Sequence, residues 1–377
     1  MSGNIIIVEH QGKIVTHYRK LNGMSRGRLA ELLGVDISTI YRMEKKIVIK
    51  DIKRRNLLVG LLGIPAASMG LGVDVHPVAA SLALNEDDMN FFESNLEMRW
   101  NIYHTGGTTR ASQGLDTWLR KVEAFAKEVQ SGVWGGRVRA LLVSSYQLQG
   151  SICRDLMHYE KAHTAYKQSF VAAKELNDKE LMASVLARRG VTYIQQQKSV
   201  DAIPFLIEAL RLTDGIGLPY LRGYIFQALS EAYAMSYQAQ NTWRSIELAE
   251  RALERKGTVL ERSNCQSNTT SVMAQKGVDA VLLHDNDRAI VLIDKALIKY
   301  DPTLIRGRAR LVAQKAEAYY GIGDIEMCTM TATEAWTLAC SVGSSKTCAR
   351  IQNLYGTLKT SVWKKESSVL HLGALLL

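Results

Sequence analysis

A short apolar motif returns five times along the C-terminal three-quarters of the chain: AHTAYKQSF from Ala162, AIPFLIEAL from Ala202, SIELAERAL from Ser245, AIVLIDKAL from Ala289 and CTMTATEAW from Cys328. Successive starts lie 40, 43, 44 and 39 residues apart. Each copy reads as the second helix of a hairpin, with small and aromatic residues on the helix before it. A period of this size means stacked helical hairpins, because one hairpin can bury its apolar face only against its neighbours. Aromatic residues make up only 7% of the chain and there are 5 prolines, which disfavours a large protein of many short strands. An all-α protein follows.

The units resemble tetratricopeptide repeats, with Gly190, Tyr193, Ala202 and Ala209 matching in one unit and Ala316, Tyr319 and Ala335 in another, where YYGIGD supplies the inter-helix turn. The resemblance covers about residues 140 to 345 and implies an α-solenoid whose concave wall is built from the first helices. Residues 86 to 135 add helices before the first clear repeat, divided by a turn at Gly106 and Gly107. In this register Gln147, Ser151, Arg154, Ser184, Tyr224, Gln227, Glu231, Arg310 and Glu317 face the groove. Amide, hydroxyl and charged groups so arranged suit an extended peptide, whose backbone needs donors and acceptors along its length.

The N-terminal part differs in charge. Residues 1 to 60 hold 12 Lys/Arg against 5 Asp/Glu, which puts +7 of the net +10 into one short segment. Such an imbalance fits a polyanionic partner met by that segment alone. Within it, MSRGRLAELLGVDISTIYRME from Met24 reads as two short helices and a tight turn. Ser25 caps the first, Leu29, Leu32 and Leu33 form its apolar side, Gly34 ends it, and Asp36 caps a second helix that turns Ile40 and Met43 inward.

The order and spacing of Leu29-Ala30, Leu33-Gly34-Val35, Ser38-Thr39-Ile40 and Glu44 resemble the Cro/CI-like, or XRE, helix-turn-helix family over about residues 11 to 65. The resemblance implies that the second helix enters the DNA major groove. That would direct Ile37, Ser38 and Arg42 at base edges, with Thr39 and Tyr41 close by and Arg42 suited to guanine. Arg26, Arg28, Lys45 and Lys46 are expected on phosphates, and Lys50, Arg54 and Arg55 also flank the motif.

The expected domains are 1–65 for the helix-turn-helix, 66–85 for a linker, 86–366 for the repeat domain and 367–377 for an apolar tail too short to be a stable helix alone. The uncharged run Asn56–Val73 is broken by four glycines besides Pro65, so it reads as a core helix ended by Pro65 and a small-residue linker, not a membrane span. The apolar run near the N-terminus is too short for a signal peptide, and the expected location is cytoplasmic. The five cysteines lack C-x-x-C spacing and are expected to be reduced and mostly buried. No phosphate-binding Gly-Lys loop, His-Glu-x-x-His or Gly-x-Ser-x-Gly motif occurs, so neither an enzyme nor a cofactor or metal is expected.

A Cro/CI-like head on a tetratricopeptide-like solenoid resembles the peptide-pheromone receptors of the Rgg and PlcR type. The resemblance implies a homodimer on a palindromic double-stranded operator, controlled by a short peptide in the solenoid. The alternative keeps the DNA-binding head but makes the solenoid a scaffold for another protein.

Overall fold

The computed structural model describes residues 10–71, 86–105, 107–129, 132–255 and 257–376. The described residues are helical apart from turns and loops, and the chain divides into two compact units, 1–83 and 84–377. The start of the chain, most of the expected linker, Gly106 and Leu377 lie outside the described residues.

The first unit is a helix-turn-helix domain of α1 (Gln11–Leu21), α2 (Arg26–Leu32), α3 (Ile37–Glu44) and α4 (Ile52–Leu62). Side chains cap every N-terminus: His10 accepts from the Lys13 N–H, Ser25 from Arg28, Asp36 from Ser38 and Asp51 from Arg54. Each such cap satisfies a backbone donor that has no partner within its helix. Gly34 takes the left-handed turn (φ 62°) between α2 and α3, as expected for a residue without Cβ. Val15, Leu29, Ala30, Ile40, Met43, Leu58 and Leu62 form the core.

Two expectations are corrected in this unit. The helix α4 stops at Leu62, before Pro65, because Gly63 takes a left-handed C-cap. The domain also runs past residue 65, since Met69 in the 3-10 turn Ala66–Met69 is wholly buried in the same core, and its carbonyl accepts from Gln11 Nε2 at 2.7 Å.

The second unit opens with α5 (Glu86–Thr105), α6 (Thr108–Ser112) and α7 (Leu115–Glu128). Five hairpins follow: α8 (Gly132–Asp155) with α9 (Tyr159–Glu175), α10 (Lys179–Gln195) with α11 (Ser199–Leu212), and α12 (Pro219–Met235) with α13 (Ala239–Glu254). Then come α14 (Thr269–Leu282) with α15 (Asn286–Lys299), and α16 (Ile305–Ile322) with α17 (Ile325–Ser341). The five motif starts, Ala162, Ala202, Ser245, Ala289 and Cys328, all fall on second helices and are buried.

Hairpin packing has a sequence signature. A Cβ on Gly150, Gly190 or Gly277 would lie 2.6 to 2.7 Å from Tyr166, Leu206 or Ile293, in each case sixteen residues on. The glycine on each first helix makes room for a large side chain of the second, and the two helices approach closely.

The chain ends with α18 (Ser345–Leu358) and α19 (Ser367–Leu375). The tail is a helix that does not stand alone: Val369 and Leu372 are buried in the core formed with α16, α17 and α18. Tertiary packing supplies what its nine residues lack in intrinsic helix stability. Cys265 and Cys328 are buried as expected, whereas Cys340 is exposed and its Sγ lies 3.9 Å from that of Cys348.

The array closes on itself. Arg306, at the start of α16, donates to the Tyr103 carbonyl (3.1 Å), to Thr108 Oγ1 (2.8 Å) and to the Asp155 carboxylate. The Thr108 N–H donates to the Val342 carbonyl at 3.1 Å, and Ser344 Oγ donates to Asp155 at 3.1 Å. The last hairpins therefore meet the first helices around a central lumen.

Candidate functional sites: the open face of the third helix and the lumen

On the head, α3 turns Ile40 and Met43 into the core, which leaves Ile37, Ser38, Tyr41 and Arg42 on the open side. Ile37 is 53% and Tyr41 47% exposed, so the open side of this short, well-capped helix carries apolar as well as polar groups. Thr39 is half-buried beside them. Arg42 Nη2 donates to Ser38 Oγ at 3.0 Å, which extends the guanidinium along the helix surface. Lys45 Nζ sits 4.2 Å from the Tyr41 ring centroid, and as hydrogen-bond donor and charge it lowers the pKa of the phenol. Lys46 is exposed.

Two of the expected phosphate contacts are otherwise engaged. Arg26 Nε donates to Glu44 at 2.7 Å, and Arg19 Nε donates to the other oxygen of the same carboxylate at 2.6 Å. Burial alone would raise the Glu44 pKa, but the hydrogen bonds from Arg19 and Arg26 outweigh it and hold the carboxyl below its usual range. Arg26 is thus a structural partner that ties α2 to the end of α3. Arg28 pairs at the surface with Glu31 at 2.6 Å, an exposed pair that exchanges readily for other anions. Arg55 likewise serves the fold, donating to the Met69 carbonyl at 2.8 Å.

In the second unit every residue expected in the groove lies on a first helix, but four of them are not open donors. Gln147, Ser151, Ser184 and Gln227 are buried. Gln147 Nε2 donates to Ser184 Oγ (2.9 Å), while Arg188 donates to Gln147 Oε1 (2.9 Å) and Ser151 Oγ (3.1 Å). Gln227 Nε2 donates to Ser267 Oγ at 2.7 Å. Glu231 accepts from Arg310 at 2.8 Å, and Glu317 takes both donors of Arg350 at 2.6 Å. Arg154 and Tyr224 remain half-exposed.

Part of the reason is the segment from Glu261 to Ser267, between α13 and α14, which is bonded to α10 and α12. Glu180 accepts the backbone N–H groups of Arg262 (2.5 Å) and Ser263 (2.6 Å). The Asn264 carbonyl accepts from Arg188 (3.0 Å), and the Ser267 N–H donates to the Tyr220 carbonyl (3.2 Å). Glu261 reaches back to accept the N–H groups of Tyr220 and Leu221 at 2.7 Å, capping α12. A segment of the chain itself thus uses much of the wall as a peptide would. Beside it a cavity of about 730 Å³ opens between α5 and the segment, lined by Trp100, His104, Asn264 and Gln266.

The register reading omitted several lumen residues: Asp155, Arg188, Asp279, Arg306, Lys346 and Arg350. Asp279 is fully buried on α14, and burial pushes its carboxyl up to about 8 despite a hydrogen bond from Gln275. Burial, followed by the charges of Arg188, Arg306 and Arg154, drives the His104 pKa down to about 4. Yet the His104 side chain is exposed, a combination expected where protein surrounds a side chain that still touches solvent. Among the described residues no three His, Cys, Asp or Glu side chains are grouped to hold a metal ion, and no helix is long and apolar enough to cross a membrane.

No protein-family model matches the chain, and no curated protein matches it. Among solved structures it is similar to BtubC (BKLC) from P. vanneervenii, at 16% identity and a TM-score of 0.42, over 61% of this chain and 90% of that one. It is also similar to Bacillus thuringiensis PlcR in complex with the peptide PapR7 and DNA, at 16% identity and a TM-score of 0.32, over 94% of this chain and 100% of that one.

Proposed function

We propose that the chain is a DNA-binding transcription regulator whose helical array holds a short peptide in its lumen and uses it to modulate operator binding. The observation that carries the first part is α3 itself: Ile37, Ser38, Tyr41 and Arg42 stand exposed on a helix whose opposite face is locked into the core. A rigid helix presenting apolar, hydroxyl and guanidinium groups matches the mixed edge chemistry of the major groove. Lys45, Lys46 and Arg28 flank it as phosphate contacts, and Arg26 supports it from behind.

For the second part, the lumen offers the polar wall that an extended backbone requires, and a stretch of the chain's own backbone is bonded along it. The regulator would act as a homodimer on a palindromic site with half-sites about one helical turn apart, or a multiple of that. Peptide control would be a shift between two head arrangements, which requires different peptide affinity in each.

The test is selection of bound sequences from random duplex DNA at near-physiological salt, with wild type beside Arg42→Ala. The expected result is a two-fold symmetric motif that weakens or relaxes at one position in the variant. Failure to enrich any motif, with and without a pool of short peptides, would overturn the reading.

A further inference from the structure

The lumen holds more positive charge than its carboxylates neutralise. Three pairs are internally satisfied: Arg306 with Asp155, Arg310 with Glu231, and Arg350 with Glu317. Three further cations, Arg154, Arg188 and Lys346, have no carboxylate within ion-pair distance among the described residues.

Closure of the array sets the start of α18 against the end of α8, which puts Lys346 in the field of Arg154, itself in the field of Arg188. Lys346 lies one turn before Arg350 on α18 and two residues after Ser344, whose hydroxyl bonds Asp155, the neighbour of Arg154. Lys346 feels the charges of Arg310 and Arg154 as repulsion and those of Asp155 and Glu231 as attraction. The phenols of Tyr166, Tyr103 and Tyr224 act electrostatically on Arg154, and its Nη1 is enclosed with no acceptor. Arg188 is held by neutral oxygens and lies 4.5 Å over the Trp100 ring. The Tyr224 hydroxyl makes no hydrogen bond among the described residues and lies in the fields of Arg154 and Arg188.

An enclosed guanidinium nitrogen without an acceptor leaves a desolvated donor unsatisfied, and neighbouring cations add repulsion. A carboxylate relieves both at once, because its two oxygens accept from a guanidinium fork while keeping further lone pairs for an ammonium or a phenol. We propose that Arg154 and Lys346, with Tyr224 and Arg188 beside them, form a carboxylate-binding site in the lumen. This site deepens the reading of the lumen as a ligand chamber and rests on it. The carboxylate has three possible sources: the C-terminus of a peptide, an acidic side chain of a peptide, or a free small acid.

The experiment titrates the full chain with citrate at pH 6.5 and constant ionic strength, by calorimetry. Saturable binding that weakens at least tenfold in Arg154→Gln and in Lys346→Met is expected. Lys346→Met removes a repelled charge and should fold at least as well as wild type, so it keeps the test meaningful if Arg154→Gln does not fold. Absence of saturable citrate binding, or equal binding by wild type and Lys346→Met, overturns the site.

A second arm exposes the chain to random hexapeptide pools with free or amidated C-termini. Preferential retention of the free-acid pool assigns the site to a peptide C-terminus, and equal retention with enrichment of Asp and Glu assigns it to a side chain. Either result supports the site. Citrate binding without retention of either pool keeps the carboxylate site and overturns the peptide reading.

Discussion

Arg306 and Asp155 stand 151 positions apart in the chain, yet the guanidinium of one is bonded to the carboxylate of the other, and both are nearly enclosed. Thr108, Ser344 and the carbonyls of Tyr103 and Val342 complete the cluster. Arg306→Ala leaves Asp155 buried without its counter-charge and should destabilise the array by about 3–5 kcal/mol. Denaturant unfolding of single and double variants checks this, because the pair Arg306→Ala with Asp155→Ala should lose less than the sum of the two.

In the head, Glu44→Gln should lower stability at pH 7 by about 1–3 kcal/mol, since it turns a charge-assisted carboxylate into an amide facing two guanidinium groups. The folded Glu44 pKa lies below its ordinary value, so the stability it contributes is present above that value and lost as pH falls through the folded pKa. Thermal unfolding of the two proteins should therefore converge in acid.

Asp279 behaves in the opposite sense. With a folded pKa raised to about 8, it keeps its proton while the unfolded chain releases one, so folding is penalised increasingly from about pH 4 up to about pH 8. Asp279→Asn retains an acceptor for Gln275 and should stabilise the protein at pH 7 by about 2–4 kcal/mol, with little gain at pH 4. A melting-temperature difference that does not grow over this range would contradict the assignment.

Glycine substitutions should separate packing from propensity. Gly190→Ala places a Cβ 2.7 Å from Leu206 Cγ and should cost about 1–3 kcal/mol through overpacking. Gly60→Ala, in the helix α4 with nothing within 4 Å, should gain about 0.5–1 kcal/mol from helix propensity. Chemical denaturation of both reads the two signs.

The lumen site carries its own pH signature. Burial first, then the repulsion of Arg310 on α16, brings Lys346 down to about 7; Asp155 and Glu231 oppose this, and Arg154 adds to it. A bound carboxylate favours the protonated amine, so citrate affinity should fall as pH rises through 7, by up to about tenfold per unit once the amine is neutral. Lys346→Met should flatten the profile, which calorimetry at pH 6, 7 and 8 would show.

Much of this architecture was legible because it is local. Ser25 and Asp36 act as caps through residues two or three positions away, and Ala162, Ala202 and Ala289 mark helix faces by spacing alone. The role of Arg26 was not legible, since its partner Glu44 lies eighteen residues on and the pair forms only when α2 and α3 are docked. The groove residues were placed on the correct helices, but Gln147 and Ser184 lost their exposure to bonds across α8 and α10 and to the segment around Cys265. Lys346 and Arg306 escaped for a further reason: only the superhelical path of the whole array decides that α16 and α18 return to α5 and α8.

That return also changes how the array can come apart. A linear stack frays from its terminal repeats, each of which has a neighbour on one side only. Here the first helices and the last hairpins shield each other through Thr108, Asp155, Arg306 and Ser344, so neither terminus is a free end. Loosening any one joint exposes two edges at once. Hydrogen exchange in α5 and α18 should accordingly rise together, as one cooperative opening.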